Sequence, residues 1–424
     1  MGKYTRYFFV TLCLLAAGMR SKAQETLDFN QVESRSYAFY LEKNWSELLK
    51  LGNRSLAAGI DYYYLRLRMG IACYEQQKYR AAIPHFEQAL HFSSGETLAQ
   101  EYLYYCYLYS ERNEHANWLS KSFDPLLAGE TKTHKSNRLG FVAAEGGIKF
   151  SDSSRLFRPA TFSQMSASHL LKKRVSLFHA LSWYYQDENR FTVNQAQYYL
   201  RVNIPFKNDW LLSAGLHVFG NTSDFTESAV KESTFTPAPP FPGAPTPPVR
   251  TQTVLEVSQV NEQTLGLASA FMVTKHLPLA DFSLGSSFLI LDTARQITTS
   301  LALMYYPFKN NRLSLGGTMY LQQILNRPDL KPAFAPQVNV AVGKRLFFTA
   351  TYFVNKGLNI PEQTAYFMNN SVDFTTHRLS ISPLYMLNKK WSLYAVYSYE
   401  TKSEIEKLFL YHYHITMAGI RYFL

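Results

Sequence analysis

From about residue 137 to the C-terminus, apolar and polar side chains alternate in runs of about ten residues. In one such run, Leu313, Leu315 and Met319 share a face, while Ser314 and Thr318 lie on the other. Because strand side chains point alternately to two sides, this pattern predicts strands with one continuous apolar face. The same alternation is clear in the runs at 195–204, 346–355 and 391–400.

The connections between these runs also follow a pattern. Short turns at 172–174, 206–209, 276–280, 308–311, 343–345 and 388–390 alternate with mostly longer loops at 151–160, 221–250, 324–331, 355–372 and 400–409. The segments 186–190 and 292–295 are short exceptions. Short turns on one side and long loops on the other are typical of outer-membrane β-barrels, and the turns predict about 14 strands. Both ends of the barrel would then lie on the short-turn side.

The last strand, 411–424, alternates in the same way and carries Arg421 on the less apolar face. It resembles the C-terminal assembly signal of outer-membrane barrels, which usually ends in Phe or Trp; here Leu424 follows Phe423. The alternative is a soluble β-sandwich. That fold accounts poorly for an apolar face on every strand, since soluble sheets bury such faces in pairs.

Residues 25 to about 125 instead repeat their apolar positions at the helical period. The segment 62–92 resembles a tetratricopeptide repeat, with Gly70, Ala82 and Ala89 at helix contacts and Phe86 filling the groove. The Trp and Tyr positions of that motif hold Arg66 and Cys73 here. Steps of 34 residues link Trp45, Tyr79 and Asn113. Three helical hairpins are therefore predicted.

The tetratricopeptide resemblance implies docking of a protein partner on the concave face. The alternative is a structural cap that packs on the barrel mouth. Asp124-Pro125 is expected to end the last helix, because proline disfavours a helical residue before it. The predicted fold class is α+β, with a helical domain at 24–128, a linker at 129–136 and a transmembrane antiparallel barrel at 137–424.

The N-terminus reads as a secretory signal peptide. Lys3 and Arg6 precede a short apolar segment at 7–18, and Ser21-Lys22-Ala23 offers small residues for cleavage after Ala23. The alternative is a buried N-terminal helix. Beyond it, Cys73 and Cys106 fall on apolar helix faces in neighbouring repeats, where helix axes lie about 8–10 Å apart. We expect two buried thiols and no disulfide, which needs Cα atoms within about 7 Å.

Composition supports a membrane-embedded strand protein. Aromatic residues make up 15% of the chain, which suits interfacial girdles. The formal net charge is +11, spread over many turns, so no nucleic-acid partner is expected. No segment after the signal has 18 consecutive apolar residues, so membrane insertion would have to use strands.

The sequence offers little support for a catalytic or metal-binding site. Gly-x-Ser-x-Gly, His-Glu-x-x-His and phosphate-loop patterns do not occur. His412 and His414 share a strand face, but interfacial histidines explain them better than a metal site. We therefore predict no catalytic residue, no metal and no cofactor.

Strand parity does predict a set of charged side chains facing the lumen. They are few and of mixed sign, so strong ion selectivity is not expected. The set is Glu145, Lys149, Arg201, Arg312, Arg378, Glu400 and Arg421.

The longest predicted loop, 221–250, contains seven prolines between 237 and 248. Such a composition favours extended polyproline conformations. The loop is either a surface spacer or a lid or arm that faces an external receptor.

The order of signal, helical repeats and barrel resembles outer-membrane porins that export secreted polysaccharides. The resemblance implies an outer-membrane channel or export protein whose helical domain lies in the periplasm of a Gram-negative-type bacterium. Its partners would be outer-membrane lipid and a periplasmic protein, and its cargo a polysaccharide or a small molecule. The alternatives are a non-conducting scaffold or accessory subunit of an envelope complex, and an enzyme that modifies outer-membrane lipid.

Overall fold

The computed structural model describes residues 27–135, 137–152, 158–187, 191–235, 250–291, 294–325, 330–366, 373–403 and 410–424. Within these ranges the chain begins with seven α-helices and one 3₁₀ turn, Ser120–Ser122. The predicted signal peptide lies outside the described residues. The helices are α1 (Phe29–Leu41), α2 (Trp45–Ala57), α3 (Tyr63–Glu75), α4 (Tyr79–Phe92), α5 (Thr97–Tyr109), α6 (Asn113–Leu119) and α7 (Pro125–Glu130).

The rest of the described chain forms a closed antiparallel barrel of 14 strands. Each strand pairs with its neighbours in sequence, and β1 closes the ring on β14 from Phe141 opposite Phe423 to Ser151 opposite Tyr413. The predicted α+β fold and strand number are confirmed. The strands are β1 (Arg138–Ser151), β2 (Ala160–Leu171), β3 (Val175–Asp187), β4 (Phe191–Phe206), β5 (Trp210–Phe235), β6 (Arg250–His276), β7 (Ala280–Leu291), β8 (Ala294–Tyr305), β9 (Leu313–Ile324), β10 (Leu330–Val342), β11 (Leu346–Gly357), β12 (Phe374–Met386), β13 (Trp391–Ser403) and β14 (Leu410–Phe423).

The helices form hairpins that repeat every 34 residues. The turn of each hairpin contains a residue with positive φ, Lys43, Gln77 and Glu111, with φ of 55°, 58° and 59°. In the middle hairpin, α3 and α4 touch where Gly70 faces Phe86, and a Cβ at Gly70 would lie 2.6 Å from that ring. A larger residue at position 70 would therefore separate the two helices.

The helical core is apolar and contains the two cysteines of the described residues. Ala82, Phe86 and Cys106 are fully buried in one cluster with Cys73. Both thiols are free. Burial raises the pKa of Cys73 to about 11, which keeps this thiol protonated and unreactive at neutral pH.

The barrel wall presents its apolar side chains outward. Leu284, Leu301 and Met319 lie side by side on adjacent strands and are 61%, 51% and 52% exposed. The neighbouring residues of opposite parity, such as Tyr320 and Gln322, point inward and are buried. Among the described residues, no helix is long and apolar enough to cross a bilayer.

Two boundaries differ from the sequence expectations. Residues 221–235, predicted as the start of a long loop, extend β5 and pair with β6 up to Phe235 opposite Arg250. This extension is polar on both faces, so its sequence lacks the apolar–polar alternation that marks the other strands. The proline-rich part, 236–249, lies outside the described residues.

The second difference is at the end of the helical domain. The preceding helix α6 already ends at Leu119 and the 3₁₀ turn at Ser122. Asp124-Pro125 instead starts α7, because Asp124 accepts a hydrogen bond from the Leu127 N–H at 2.8 Å. Proline fits the first turn of a helix, where its missing N–H is not needed. A short helix therefore occupies the segment just before and into the predicted linker.

The face assignment gives a direct test on β8. Leu301→Arg places a charge on the outward apolar band and should cost about 2–4 kcal/mol of barrel stability. Ser300→Arg, on the adjacent inward position, should cost much less because its side chain enters a polar interior. Urea unfolding of the refolded protein in detergent or lipid measures both. Equal losses would show that the two faces are assigned incorrectly.

Candidate functional site

The loop after β11 folds into the barrel. We call residues 358–366 the inward loop. Its backbone carbonyls accept hydrogen bonds from inward side chains: Tyr199 Oη donates to Thr364 O at 3.0 Å, and Gln296 Nε2 donates to Asn359 O at 2.8 Å. Since β4 and β8 lie on different sides of the ring, a segment that bonds both must cross the lumen.

Further contacts hold the inward loop around the ring. His217 on β5 bonds the Ala365 carbonyl with 2.9 Å between Nδ1 and O. Gln322 on β9 both donates to Leu358 O and accepts from Leu358 N–H, the latter at 3.1 Å. Gln164 on β2 donates to Tyr366 Oη at 2.6 Å. Each of these side chains is thereby hydrogen-bonded to the inward loop.

Two apolar side chains anchor the inward loop to the wall. Ile360 packs with Tyr320 and Phe353, and Ala365 packs with Phe219 and Leu289. The loop backbone has positive φ at Gln363, Thr364 and Ala365, of 49°, 62° and 64°. Such a conformation is unfavourable for residues with a Cβ and persists where packing determines it. The surrounding wall therefore fixes the shape of the loop.

One ion pair ties the inward loop to β12. Arg378 donates to Glu362, and both side chains are almost fully buried. Glu400 and Lys402 of β13 form a second buried pair nearby, 3.4 Å apart. Thr375 Oγ1 donates to Glu400 at 2.7 Å and accepts from Lys402 Nζ at 3.0 Å. These side chains thus form a buried charged network on β12 and β13, near the long-loop end of the barrel.

At the opposite end, the helical hairpins pack on the short turns of the barrel. Arg112, at the start of α6, donates to Asp209 of the β4–β5 turn at 2.7 Å and to Leu277 O of the β6–β7 turn at 3.1 Å. Its side chain is 1% exposed. Removing one partner of such a buried pair generally costs about 3–5 kcal/mol, because the other charge is left uncompensated.

Arg80, in the first turn of α4, makes a similar contact one hairpin earlier. It pairs with Asp281 of β7, donates to Leu277 O at 2.9 Å and lies 3.7 Å above the Tyr306 ring. Asp281 also accepts from Tyr306 Oη at 2.8 Å. The tips of the second and third hairpins are therefore joined to the barrel through buried charges.

Weaker contacts extend this interface around the rim. Asn310 donates to Gln77 O at 2.9 Å, and Asn203 donates to Glu114 at 2.9 Å. Lys173 donates to Ser120 O at 3.2 Å. The helical domain thus caps part of the barrel mouth, as in the second of the two sequence-based alternatives.

Between the inward loop and this helical cap lies a chamber of about 540 Å³. Its upper boundary includes Glu362 and Thr364, and its lower boundary includes Glu111 and Asp281. Hydroxyl groups from adjacent strands line much of its wall, among them Thr274, Ser283, Ser287, Ser300, Ser314, Thr318 and Thr351. The volume lies within the range of about 300–1,000 Å³ that is usual for ligand pockets.

Burial shifts the pKa values of three titratable side chains in the helical cap. Burial raises the pKa of Glu111, while a hydrogen bond from Asn311 opposes this shift. Burial and the nearby Asp209 raise the pKa of Glu87 to about 7, against a hydrogen bond from Tyr107. Burial lowers the pKa of His115 to about 4. Glu87 is therefore protonated to a much larger extent near neutral pH than an exposed glutamate.

The seven charges predicted to face the lumen have these positions. Arg201 lines the chamber, and Arg378 holds the inward loop. Arg312 lies in the turn before β9, and its guanidinium donates to Gln77 at the cap. The turn extends through Arg312 because its N–H donates to Asn310 Oδ1 at 3.1 Å, so this residue belongs to the rim.

The remaining four lie on strands with contacts inside the barrel. Glu145 accepts from Gln164, Lys149 lies 4.0 Å from the Tyr413 ring, and Arg421 lies 4.5 Å from the Phe141 ring. Glu400 is in the network described above. Whether any of these side chains lines a conducting path stays a prediction. The alternation of strand residues did not identify Glu362 or Lys402 as charges inside the barrel. Glu362 lies in a loop, where strand alternation does not apply.

No protein-family model and no curated protein matches this sequence. Several solved structures do resemble it. A CymD monoaromatic hydrocarbon channel is 10% identical, covering 67% of this chain and 88% of its own, with a TM-score of 0.38. A Pseudomonas aeruginosa FadL homologue is also 10% identical, covering 68% and 89%, with a TM-score of 0.38. YrrB, a TPR protein with a peptide-binding site, is 12% identical over 27% of this chain and 64% of its own, with a TM-score of 0.23. Similarities of this size do not indicate what this chain binds or transports.

The raised pKa of Glu87 predicts how pH affects the cap. Because the pKa is raised in the folded state, the folded form binds more protons than the unfolded form between about pH 4.5 and 7. Stability from this site is therefore lost as the pH rises through that window. Glu87→Gln should gain stability relative to the wild type between pH 5 and 8, measured by thermal unfolding of the helical signal in circular dichroism. Parallel pH curves for the two proteins would contradict this assignment.

Proposed function

We propose that this protein is an outer-membrane channel or export protein whose lumen is closed at rest by the inward loop and the helical cap. The observation that carries the proposal is the chamber bounded at its two ends by these two elements, each held by a buried ion pair. A barrel that served only as a membrane anchor would need neither an enclosed polar chamber nor two separate closures.

The continuous outward apolar band supports a position in a membrane. Backbone groups of a closed barrel are all paired between strands, which is one of the two ways a chain can cross a bilayer. The signal-like N-terminus supports export, and the strand pattern supports the outer membrane. The short-turn end and the helical cap would then lie in the periplasm.

The helical array is the proposed docking site for a periplasmic partner. Its faces away from the barrel carry large exposed side chains, including Tyr37, Tyr64 and Tyr109. Arg68 lies 5.0 Å from the Tyr37 ring and 5.6 Å from the Tyr64 ring, which holds these aromatics in a fixed arrangement. A partner bound there could shift the cap, because the same hairpins carry Arg80 and Arg112 at their barrel-facing tips.

A non-conducting scaffold is the second candidate. The extent of the cap–barrel interface favours it, since a scaffold gains from a rigid link between membrane and periplasmic parts. An enzyme that modifies lipid is less well supported, because the described part of the chain shows no catalytic arrangement around the chamber. We propose a polysaccharide or a small molecule as the cargo of the channel.

Planar-bilayer recordings separate the channel from the scaffold. The wild type should conduct little, while the double variant Arg80→Ala/Arg112→Ala and the single variant Arg378→Ala should each raise the open probability. Each arginine that is removed leaves a buried carboxylate without its arginine partner, at a cost of about 3–5 kcal/mol per pair. The double variant breaks two such pairs at the helical cap, and Arg378→Ala breaks one at the inward loop.

The control for these recordings is Lys50→Ala, which removes the exposed pair with Glu47. An exposed ion pair contributes about 0–1 kcal/mol, so conductance should not change. If the barrel stays silent when both closures are removed together, the channel proposal fails and the scaffold remains.

Membrane insertion has an independent test. The unboiled protein should migrate faster than the boiled protein in detergent gels, because a closed barrel with fully paired backbone resists unfolding by detergent. It should also fractionate with outer membranes. Equal migration together with solubility in plain buffer would remove the membrane assignment.

A further inference from the structure

A groove on the outer wall of the barrel has features that the channel proposal does not use. It has a volume of about 640 Å³ and lies across β9 to β12, near their long-loop ends. Most of its lining is apolar, from Met319, Pro332, Phe334 and Val354. Lys356 and His377 stand at one edge.

Strand β10 carries one proline in this groove, Pro332, and a second just beyond it, Pro336. The pairing of β10 with β11 joins Phe334 to Val354 and then Gln337 to Thr351, and it omits Ala335 and Pro336. Proline has no N–H to donate, so it is normally excluded from the interior of a sheet. Pro332 lines the groove, and beside it Phe334 and its cross-strand neighbour Met319 project outward, 46% and 52% exposed.

A bulge in β11 sets the position of Lys356. The register with β12 shifts between Val354 and Gly357. Asn355 has a φ of 83°, and its side chain donates to Pro332 O at 2.6 Å, which ties the bulge to β10. Bulges commonly re-aim a side chain, and here Lys356 is exposed at the groove edge.

The charge at this edge is uncompensated. Among the described residues, Lys356 has no ion-pair partner, and the lining of the groove contains no carboxylate. His377 is held beside it, with 3.0 Å between its Nδ1 and Tyr352 Oη. The apolar lining of the groove ends at the exposed ammonium group of Lys356. An amphiphilic molecule with an anionic head group is complementary to such a groove.

We propose that this groove binds one acylated membrane lipid through its anionic phosphate head, with Lys356 contacting the phosphate and Phe334 and Met319 contacting an acyl chain. The occupant is a membrane lipid because the groove lies on the outward face, beside the apolar band. This inference needs the barrel to sit in a membrane but does not need it to conduct.

Native mass spectrometry of the full-length protein tests the proposal. The detergent-purified chain is incubated with phosphatidylglycerol or with phosphatidylcholine of the same acyl chains. The wild type should retain one phosphatidylglycerol in preference to phosphatidylcholine. Lys356→Glu should reduce that retention about tenfold, since it replaces an attraction with a repulsion at the head group. Lys356→Arg should preserve it.

The matched control is Lys344→Glu, an exposed lysine in the turn at the other end of the β10–β11 hairpin. It makes the same change in net charge away from the groove and should leave retention unchanged. Phe334→Asn should weaken retention of both lipids, because it removes the acyl-chain contact. Faster gel migration of the unboiled protein confirms that each variant forms a closed barrel.

Three results would overturn the proposal. One is equal retention of the two lipids by the wild type. Another is an equal loss in Lys356→Glu and Lys344→Glu, which would mean that only overall charge matters. The third is unchanged retention in Phe334→Asn, which would place the acyl chain elsewhere. None of these outcomes bears on conductance, so failure here is distinct from failure of the channel proposal.

Discussion

The pairing of β1 with β14 is the interaction on which the rest of this structure depends. It removes both edges of the sheet, so that every strand has two partners and the backbone needs no water within the wall. Closure also divides the side chains into an outward, largely apolar set and an inward set that face one another across a lumen. Polar groups on the inward set then need partners from inside the barrel.

Those partners come from two elements that are distant in sequence. The inward loop supplies backbone carbonyls to Tyr199, His217 and Gln296, while the helical cap supplies Arg80 and Arg112 to the short turns. The inward loop and the helical cap are held in the same way, because each contact contains a buried pair of an arginine and a carboxylate. Such a pair adds little net stability compared with apolar packing, but it is costly to break on one side. It therefore favours one defined closed arrangement.

The wall itself is not uniform. Over β7, β8 and β9 the ladders are continuous and the outward side chains form an even apolar band. At β10 the ladder to β11 is interrupted at Pro336, and the bulge at Asn355 follows just beyond it. The first residues of the inward loop come directly after this bulge. The least regular part of the wall thus lies beside the element that crosses the lumen.

Local periodicity in the sequence was sufficient to predict the helical repeats, the barrel, the strand number and the inward or outward direction of most strand residues. These features depend on residues two, four or 34 positions apart, so they can be read along the chain. The polar extension of β5 was missed because it has no apolar face. Helix α7 was missed because an Asp-Pro pair can mark either the end of one helix or the start of the next, and here it starts one. The inward loop and the docking of Arg80 and Arg112 were decided only by tertiary structure. Their partners, such as Glu362 with Arg378 or Arg112 with Asp209, become neighbours only when the ring closes and the hairpins fold back on its turns, and no local pattern encodes that proximity.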